Sequence, residues 1–280
     1  MTPLPSRRAC LAAALALPAP ALAAAASPFA ALERRHGGRL GVAIHGRRAL
    51  QYRGAERFPL TSTFKWLAAA LVLARVDQGS DSLARRIAYG PEALVPYSPA
   101  TAPHAGVAGL TLAELCEAAI TLSDNTAGNL LLDSFGGPPG LTAFARHQGD
   151  PTTRLDRRET ALNEATPGDP RDTTTPLAML GLLQRLVLGN ALSAASRAQL
   201  QAWLVANRTG DKRLRAGLPP DWRVGDKTGS GNRNTTNDVA ILWPPGRPPI
   251  VVAAYYTGAG GTAAEREAVL AEVGLLAAAA

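Results

Sequence analysis

The 280-residue sequence predicts an α+β fold: a five-stranded antiparallel sheet flanked by terminal helices, with an all-helical sub-domain and a cleft between the two. Three observations predict it. Strand chemistry is confined to the two ends of the chain, while the middle carries helical periodicity with recognisable start and stop residues. Hydrophobic residues make up 46% of the sequence, enough for a sizeable core. The simplest assembly pairs the early strands with the late ones in one sheet, terminal helices on one face and the central helices on the other. One domain is expected, with an α/β part from 27–61 and 207–280 and a helical part from 62–206.

The first residues read differently from the rest. Ser6-Arg7-Arg8 precedes an alanine- and leucine-rich run from Ala9 to Ala26, too short to span a bilayer comfortably, with small residues at Ala21-Leu22-Ala23 where a signal peptidase can cut. This is a cleaved export signal, for the Sec or the twin-arginine route, and it places the protein in the periplasm or outside the cell with no stable membrane association after cleavage. Cys10 leaves with it. Only Cys116 then remains, so no intramolecular disulfide can form, and its apolar surroundings read as a buried helix thiol.

After the signal, Ser27-Pro28 opens a short helix over Phe29 to His36, closed by Gly37-Gly38. Leu40, Val42 and Ile44 alternate along a strand, Gly46-Arg47-Arg48 turns, and Ala49 to Arg53 returns as a hairpin partner. From Ser62 to Gln78, apolar residues recur at Phe64, Leu67, Ala68, Leu71 and Ala74 before Gly79, predicting a buried helix. Thr111-Leu112-Ala113-Glu114 is a capping box for a helix to about Thr121, and another helix runs from Thr126 to Phe135, ended by Gly136-Gly137. Thr175-Pro176 starts a helix through Leu188, and Ser196 to Ala206 makes one more. Strands follow over Arg223 to Ser230, Asp238 to Trp243 and Ile250 to Thr257, then a last helix from about Thr262 to Ala277. Asp150 to Thr174 has no periodicity, and a loop that long in a compact domain points to a functional segment.

The formal charge is +7; losing two arginines with the signal leaves +5. Cations are scattered among acids without basic runs or interleaved aromatics, so no nucleic-acid partner is expected, and small anionic molecules suit this charge better. His36, His45, His104 and His147 never fall at metal-ligand spacing with each other or with Cys116. Neither metal nor cofactor is expected. Nothing in the sequence points to an oligomer, and a monomer is expected.

Four short stretches carry chemistry. Ser62-Thr63-Phe64-Lys65 places an amine one helical turn from a hydroxyl at a helix start, where unpaired backbone N–H groups suit a developing anion. Ser123-Asp124-Asn125 presents a second hydroxyl and an amide between two helices. Glu159 and Asn163 put a carboxylate and an amide four residues apart in the irregular loop. Lys227-Thr228-Gly229-Ser230-Gly231 aligns a cation and two hydroxyls along a strand end. Each alone has a bland reading as a cap, a turn or a solvated loop.

In this order, S-x-x-K, S-D-N, E-x-x-L-N and K-T-G are together the pattern of the class A serine β-lactamases, which the chain resembles from about Ser27 to its end. Cys116 to Leu122 leading into Ser123, Tyr97-Ser98-Pro99 and Trp222 also look like family positions. The resemblance implies hydrolysis of β-lactams: Ser62 is acylated, with its N–H and that of Ser230 as oxyanion hole. Lys65, or Glu159 through a water, takes the serine proton; Ser123 passes a proton to the leaving nitrogen, with Lys227 lowering the cost of doing so; Glu159 and Asn163 hold the deacylating water. Asn125 would hold Lys65 and the substrate amide, and Lys227, Thr228, Gly229 and Ser230 would border the substrate carboxylate. Arg213 would reach that carboxylate because Thr236 stands where many members carry arginine, with Arg266 on the same rim. Tyr97 would wall the mouth. Arg157 and Asp172 would close the neck of an Ω loop over about 157–172. Thr61 and Gly231 occupy the places of the disulfide common in family carbapenemases, so penicillins and cephalosporins are the expected substrates. A D-alanyl-D-alanine peptidase or a β-lactam sensor shares three of the motifs but would lack the Glu159 and Asn163 pair.

Overall fold

Alternation along the late strands decides which helices they carry. The computed structural model describes residues 27–280; the export signal expected over 1–26 lies outside the described residues. Strands β1 (Arg39–His45) and β2 (Ala49–Tyr52) form the early hairpin. They join three late strands, which in the order used below are β7 (Arg223–Gly231), β8 (Thr235–Trp243) and β9 (Ile250–Thr257), in a sheet of order β2-β1-β9-β8-β7. Every neighbouring pair is antiparallel. Ala43, Val239, Ile241, Val251, Ala253 and Tyr255 pack toward the central helices. Their chain neighbours Val42, Ile44, Ala240, Leu242, Val252 and Ala254 pack on the other face. There they meet Phe29 and Leu32 of α1 (Pro28–His36) and Val269, Leu270 and Val273 of the C-terminal helix (Ala263–Ala278). Both faces are covered, which is why Ile250 to Tyr256 reads as one apolar run.

The helical layer is built around α2 (Phe64–Asp77). Residues Phe64 to Ala70 are buried on every side of the helix, including Lys65, so its neighbours must surround it. They are α3 (Leu112–Thr121), α4 (Asn125–Ser134), α5 (Gly137–His147) and α7 (Ala194–Val205). Helix α6 (Pro176–Leu183), continued by a π-helical turn over Gln184–Leu188, packs against β9 and β1. Full burial of each large side chain here, such as Trp66 or Leu67, contributes roughly 1.5–3 kcal/mol. The C-terminal helix is α8, and Thr262 closes its capping box with Glu265.

The structure departs from the sequence expectations at identifiable places. Ser62 does not begin the α-helix; it sits in a 3₁₀ turn, Thr61–Thr63, because the Thr61 and Thr63 hydroxyls both donate to Leu60 O at 2.7 Å and tighten the chain there. Ser27 occupies the cap position of α1 without a side-chain cap bond. Helix α5 was not anticipated, since Gly-Pro-Pro-Gly reads as a breaker. Its prolines fall in the first turn, where a missing N–H costs nothing, and Leu141, Phe144 and Ala145 are buried at helical spacing. Two small sheets also escape any period of two, because each strand has two residues: β3 (Phe58–Pro59) with β6 (Thr173–Thr174), and β4 (Arg86–Ile87) with β5 (Leu110–Thr111). The first ties one end of the long loop to the segment before Ser62. Strand β8 starts at Thr235, three residues before the expected Asp238.

Among the described residues, no helix is long and apolar enough to cross a membrane.

Candidate active site

The 3₁₀ turn hands Ser62 to the cleft and Lys65 follows from the first turn of α2, which is why the two meet. Lys65 Nζ lies 3.0 Å from Ser62 Oγ and 2.6 Å from Asn125 Oδ1, and it donates to Ser123 O at 2.8 Å. It is also 3.0 Å from Glu159 Oε1, with both side chains fully buried. Four acceptors therefore surround an amine that has at most three protons. Ser62 Oγ itself donates to Glu159 Oε1 at 3.1 Å. Lys65 Nζ thus lies within 3.0 Å of both partners of that bond.

Ser123 and Asn125 are placed by Asp124. This buried carboxylate caps α4 through Ala127 N at 2.8 Å and also accepts from the N–H groups of Ala100 and Thr101. Ser123 adopts φ +57° and Tyr97 φ +65°, left-handed conformations that non-glycine residues hold only when their surroundings enforce them. Asn125 N donates to Tyr97 O at 3.0 Å and its Nδ2 to Pro96 O at 2.8 Å, fixing the aromatic loop at the mouth. Tyr97 is 62% exposed.

The long loop is closed at its neck. Arg157 Nε meets Asp172 Oδ2 at 2.6 Å, and Asp172 Oδ1 accepts from the N–H groups of Asp156 and Arg157. Within the loop, Glu159 is held by Asn129 of α4, which accepts from Glu159 N and donates to Glu159 O, both at 2.9 Å. Nothing local marks Asn129 in the sequence: an amide in a leucine-rich helix signals nothing until a loop is laid against it. Asn163 Nδ2 donates to Glu159 Oε2 at 2.5 Å, and Asn163 Oδ1 is buried without a partner among the described residues.

Strand β7 forms the opposite wall. Lys227 Nζ donates to Ser123 Oγ at 3.0 Å and to Thr228 O at 2.8 Å. Gly229 is required by closeness: a Cβ there would lie 2.1 Å from Thr61 Oγ1 and 3.1 Å from Thr63 Cγ2. At Gly231 a Cβ would lie 2.8 Å from Thr61 Cγ2, so the two positions noted for the absent disulfide are adjacent. Arg213 is largely buried at the edge of the cleft, donating to Gly229 O at 2.9 Å, Asn237 O at 2.7 Å and Ser230 Oγ at 2.7 Å, with Glu267 Oε1 3.4 Å from its Nε. Arg266 lies farther out, donating to Gly261 O at 2.7 Å and to Thr236 Oγ1 at 3.4 Å.

Burial pushes the Lys65 amine below its ordinary range, opposed by the Glu159 and Asp124 carboxylates. Lys227 is driven well below that range by burial and by the positive charges of Lys65 and Arg213. Both amines are thereby biased toward losing a proton, the property a proton shuttle needs. Within the sheet, burial raises the carboxyls of Asp226 on β7 and Asp238 on β8, the second well above the usual carboxylate value. Burial also raises the Cys116 thiol, which keeps it inert.

These groups border a cleft of about 360 Å³ lined by Ser62, Tyr97, Ser123, Asn125, Asn163, Thr209, Arg213, Thr228, Gly229 and Ser230. Only Thr209 among them was not singled out from the sequence. Two larger surface cavities, of about 1010 and 960 Å³, lie away from these side chains, so size does not mark the site. Among the described residues no group of three or more histidine, cysteine, aspartate or glutamate side chains is placed to hold a metal.

Comparison with known proteins agrees with this geometry. The profile of the β-lactamase enzyme family matches residues 24–280. β-Lactamase OXY-1 of Klebsiella oxytoca is 50% identical over 246 residues, 87% of this chain and 84% of that protein. The carbapenem-hydrolyzing β-lactamase KPC, also from Klebsiella oxytoca, is 50% identical over 256 residues, 90% of this chain and 87% of its own. The solved structure of an ancestral (GNCA) class A β-lactamase is 66% identical and superimposes with a TM-score of 0.87, covering 89% of this chain and 96% of that one. Likeness of that extent in both sequence and fold, spanning every motif of the cleft, means that the chain belongs to the β-lactamase enzyme family, in its class A.

Proposed function

We propose that this enzyme hydrolyses the β-lactam amide bond of penicillins and cephalosporins through an ester on Ser62, and so confers resistance to them. The observation that carries this reading is the closed set of contacts in which Glu159 Oε1 accepts from Ser62 while Lys65 reaches both and Asn163 holds the second carboxylate oxygen. Ser62 Oγ adds to the lactam carbonyl as its proton passes to Glu159 or Lys65, each one hydrogen bond away. The N–H groups of Ser62 and Ser230 receive the developing oxyanion, a contribution of about 3–4 kcal/mol per donor in comparable enzymes. The C–N bond breaks as the ring nitrogen takes a proton from Ser123 Oγ; Ser123, 3.0 Å from the Lys227 amine, is reprotonated through the lysine amines with the proton taken from Ser62, which leaves Glu159 a carboxylate again.

Deacylation needs a water and a base. Asn163 Oδ1, buried and unpartnered among the described residues, is free to accept from that water, and the adjacent Glu159 carboxylate takes its proton. The water oxygen bonds to the acyl carbon, the ester bond breaks, and Ser62 regains its proton. Thr228, Ser230 and Arg213 grip the substrate carboxylate with Lys227 beneath, Asn125 takes the side-chain amide, and Tyr97 covers the mouth. In this reading the enzyme acts as a monomer in the periplasm or outside the cell, after export through the segment over 1–26.

The test is steady-state hydrolysis of one penicillin and one cephalosporin by the mature protein, beside intact-mass measurement of Ser62→Ala. Turnover by the parent and no covalent mass increase in the variant are expected. Labelling that persists in Ser62→Ala would mean another nucleophile.

A further inference from the structure

One residue lines the cleft without a part in the reaction just described: Thr209, in the connection between α7 and β7. Its hydroxyl oxygen is 2.5 Å from that of Thr228, and either atom alone could be the donor. The surroundings decide. Asp226, buried and paired with Arg215, accepts from Asn207 Nδ2 at 2.6 Å. This turns the Asn207 amide so that its oxygen faces Thr209, where it accepts from the backbone N–H at 3.1 Å and from the hydroxyl at 2.8 Å. A threonine hydroxyl has one proton. With that proton committed to Asn207, Thr209 can only accept from Thr228. In the empty cleft the Thr228 hydroxyl therefore aims its proton at Thr209 and turns lone pairs toward the substrate space, the wrong polarity for an anion.

We propose that Thr209 is a positioning residue for the anionic group of the substrate: when a carboxylate meets Thr228, both hydroxyls turn over, Thr228 donating to the carboxylate and Thr209 donating to Thr228. The inference rests on the reading of Thr228 as a carboxylate partner. No bond is made and no proton changes owner; two C–O rotors turn. The reversal leaves nothing unpaired, because Asn207 Oδ1 keeps the Thr209 N–H and Asp226 keeps both Asn207 and Arg215. In the reversed order the chain runs toward the anion, each donor strengthened by the one behind it. A neutral group gives the chain little reason to reverse, so Thr209 sharpens the preference for charged over uncharged ligands.

The experiment compares a penicillin with its methyl ester on the parent enzyme, Thr209→Val and Thr209→Ser, with thermal unfolding recorded for each. The expected result is a parent that favours the acid in KM, and a valine variant in which that acid-over-ester preference falls about 5- to 10-fold, the size of one ordinary hydrogen bond between neutral groups. The loss should fall on KM and not on kcat, serine should restore most of the preference, and the valine effect should vanish in a Thr228→Val background. A preference unchanged in Thr209→Val, or lost equally in Thr209→Ser, overturns the proposal while leaving Thr228 its role. A parent without any acid preference instead removes the carboxylate reading of Thr228 and takes this proposal with it.

Discussion

Glu159 Oε1 accepts a hydrogen bond from the Ser62 hydroxyl across 3.1 Å, though 97 residues separate the two in the chain. Three independent restraints bring that carboxylate to the serine. The Arg157 and Asp172 pair closes the loop neck, Asn129 holds both backbone polar groups of Glu159, and Lys65 attracts its oxygen from below. A carboxylate and an ammonium buried together are costly unless each is fully paired, and here each is.

Replacing Glu159 by alanine should therefore separate the two halves of the reaction. With a penicillin, Glu159→Ala should accumulate a stable acyl-enzyme seen as a mass increase, while turnover falls by roughly 10²–10⁴-fold, the usual contribution of a positioned acid or base. Undiminished turnover would remove Glu159 from the mechanism.

Arg213 offers a test of shape as well as charge. Its guanidinium reaches Gly229 O, Asn237 O and Ser230 Oγ at once, a fork that one ammonium cannot reproduce. Arg213→Ala should weaken binding of a carboxylate-bearing substrate by about 1–3 kcal/mol, read in kcat/KM, and Arg213→Lys should recover little of it. An unchanged specificity constant in the alanine variant would make the residue a support for β7 alone.

Gly229 makes a prediction about packing. Because an added methyl would fall 2.1 Å from the Thr61 hydroxyl and 3.2 Å from Leu60 O, Gly229→Ala must push β7 away from the turn that carries Ser62. The expected cost is about 1–3 kcal/mol of stability by denaturant unfolding, accompanied by lower activity on every substrate. A loss of activity on carboxylate substrates alone would contradict a general widening of the wall.

What could be read from the sequence, and what could not, divides by the range of the interaction. Ser62 and Lys65, or Thr111 and Glu114, are three residues apart, so local spacing alone brings them together, and β9 announces itself by an apolar run from Ile250 to Tyr256. Asn129, Asn207 and Thr209 carry no such signal. Each is a small polar residue whose partners, Glu159, Asp226 and Thr228, are brought by other elements. Helix α5 was hidden for the opposite reason: its prolines and glycines are strong local signals that the first-turn position neutralises. The position of Ser62 in a 3₁₀ turn likewise goes with two threonine hydroxyls that both donate to Leu60 O, a pairing that periodicity does not register.

The buried carboxyl of Asp238 predicts a pH dependence of stability with a definite sign. Burial and the neighbouring Asp226 carboxylate hold its pKa well above 3.8, while Arg213 and Lys227 oppose the shift. Above 3.8 the unfolded chain gives up this proton and the folded protein keeps it, so the folded state binds more protons and loses stability as pH rises toward the folded pKa. Asp238→Asn keeps an oxygen for Leu214 N, which now donates to Asp238 Oδ2 at 3.2 Å, and has no proton to lose. The stability of the variant relative to the parent should therefore increase as pH rises from about 4 toward the raised pKa of the folded carboxyl. Urea unfolding across that range measures it. Parallel curves for parent and variant would mean that Asp238 ionises in the folded protein as readily as in the unfolded chain.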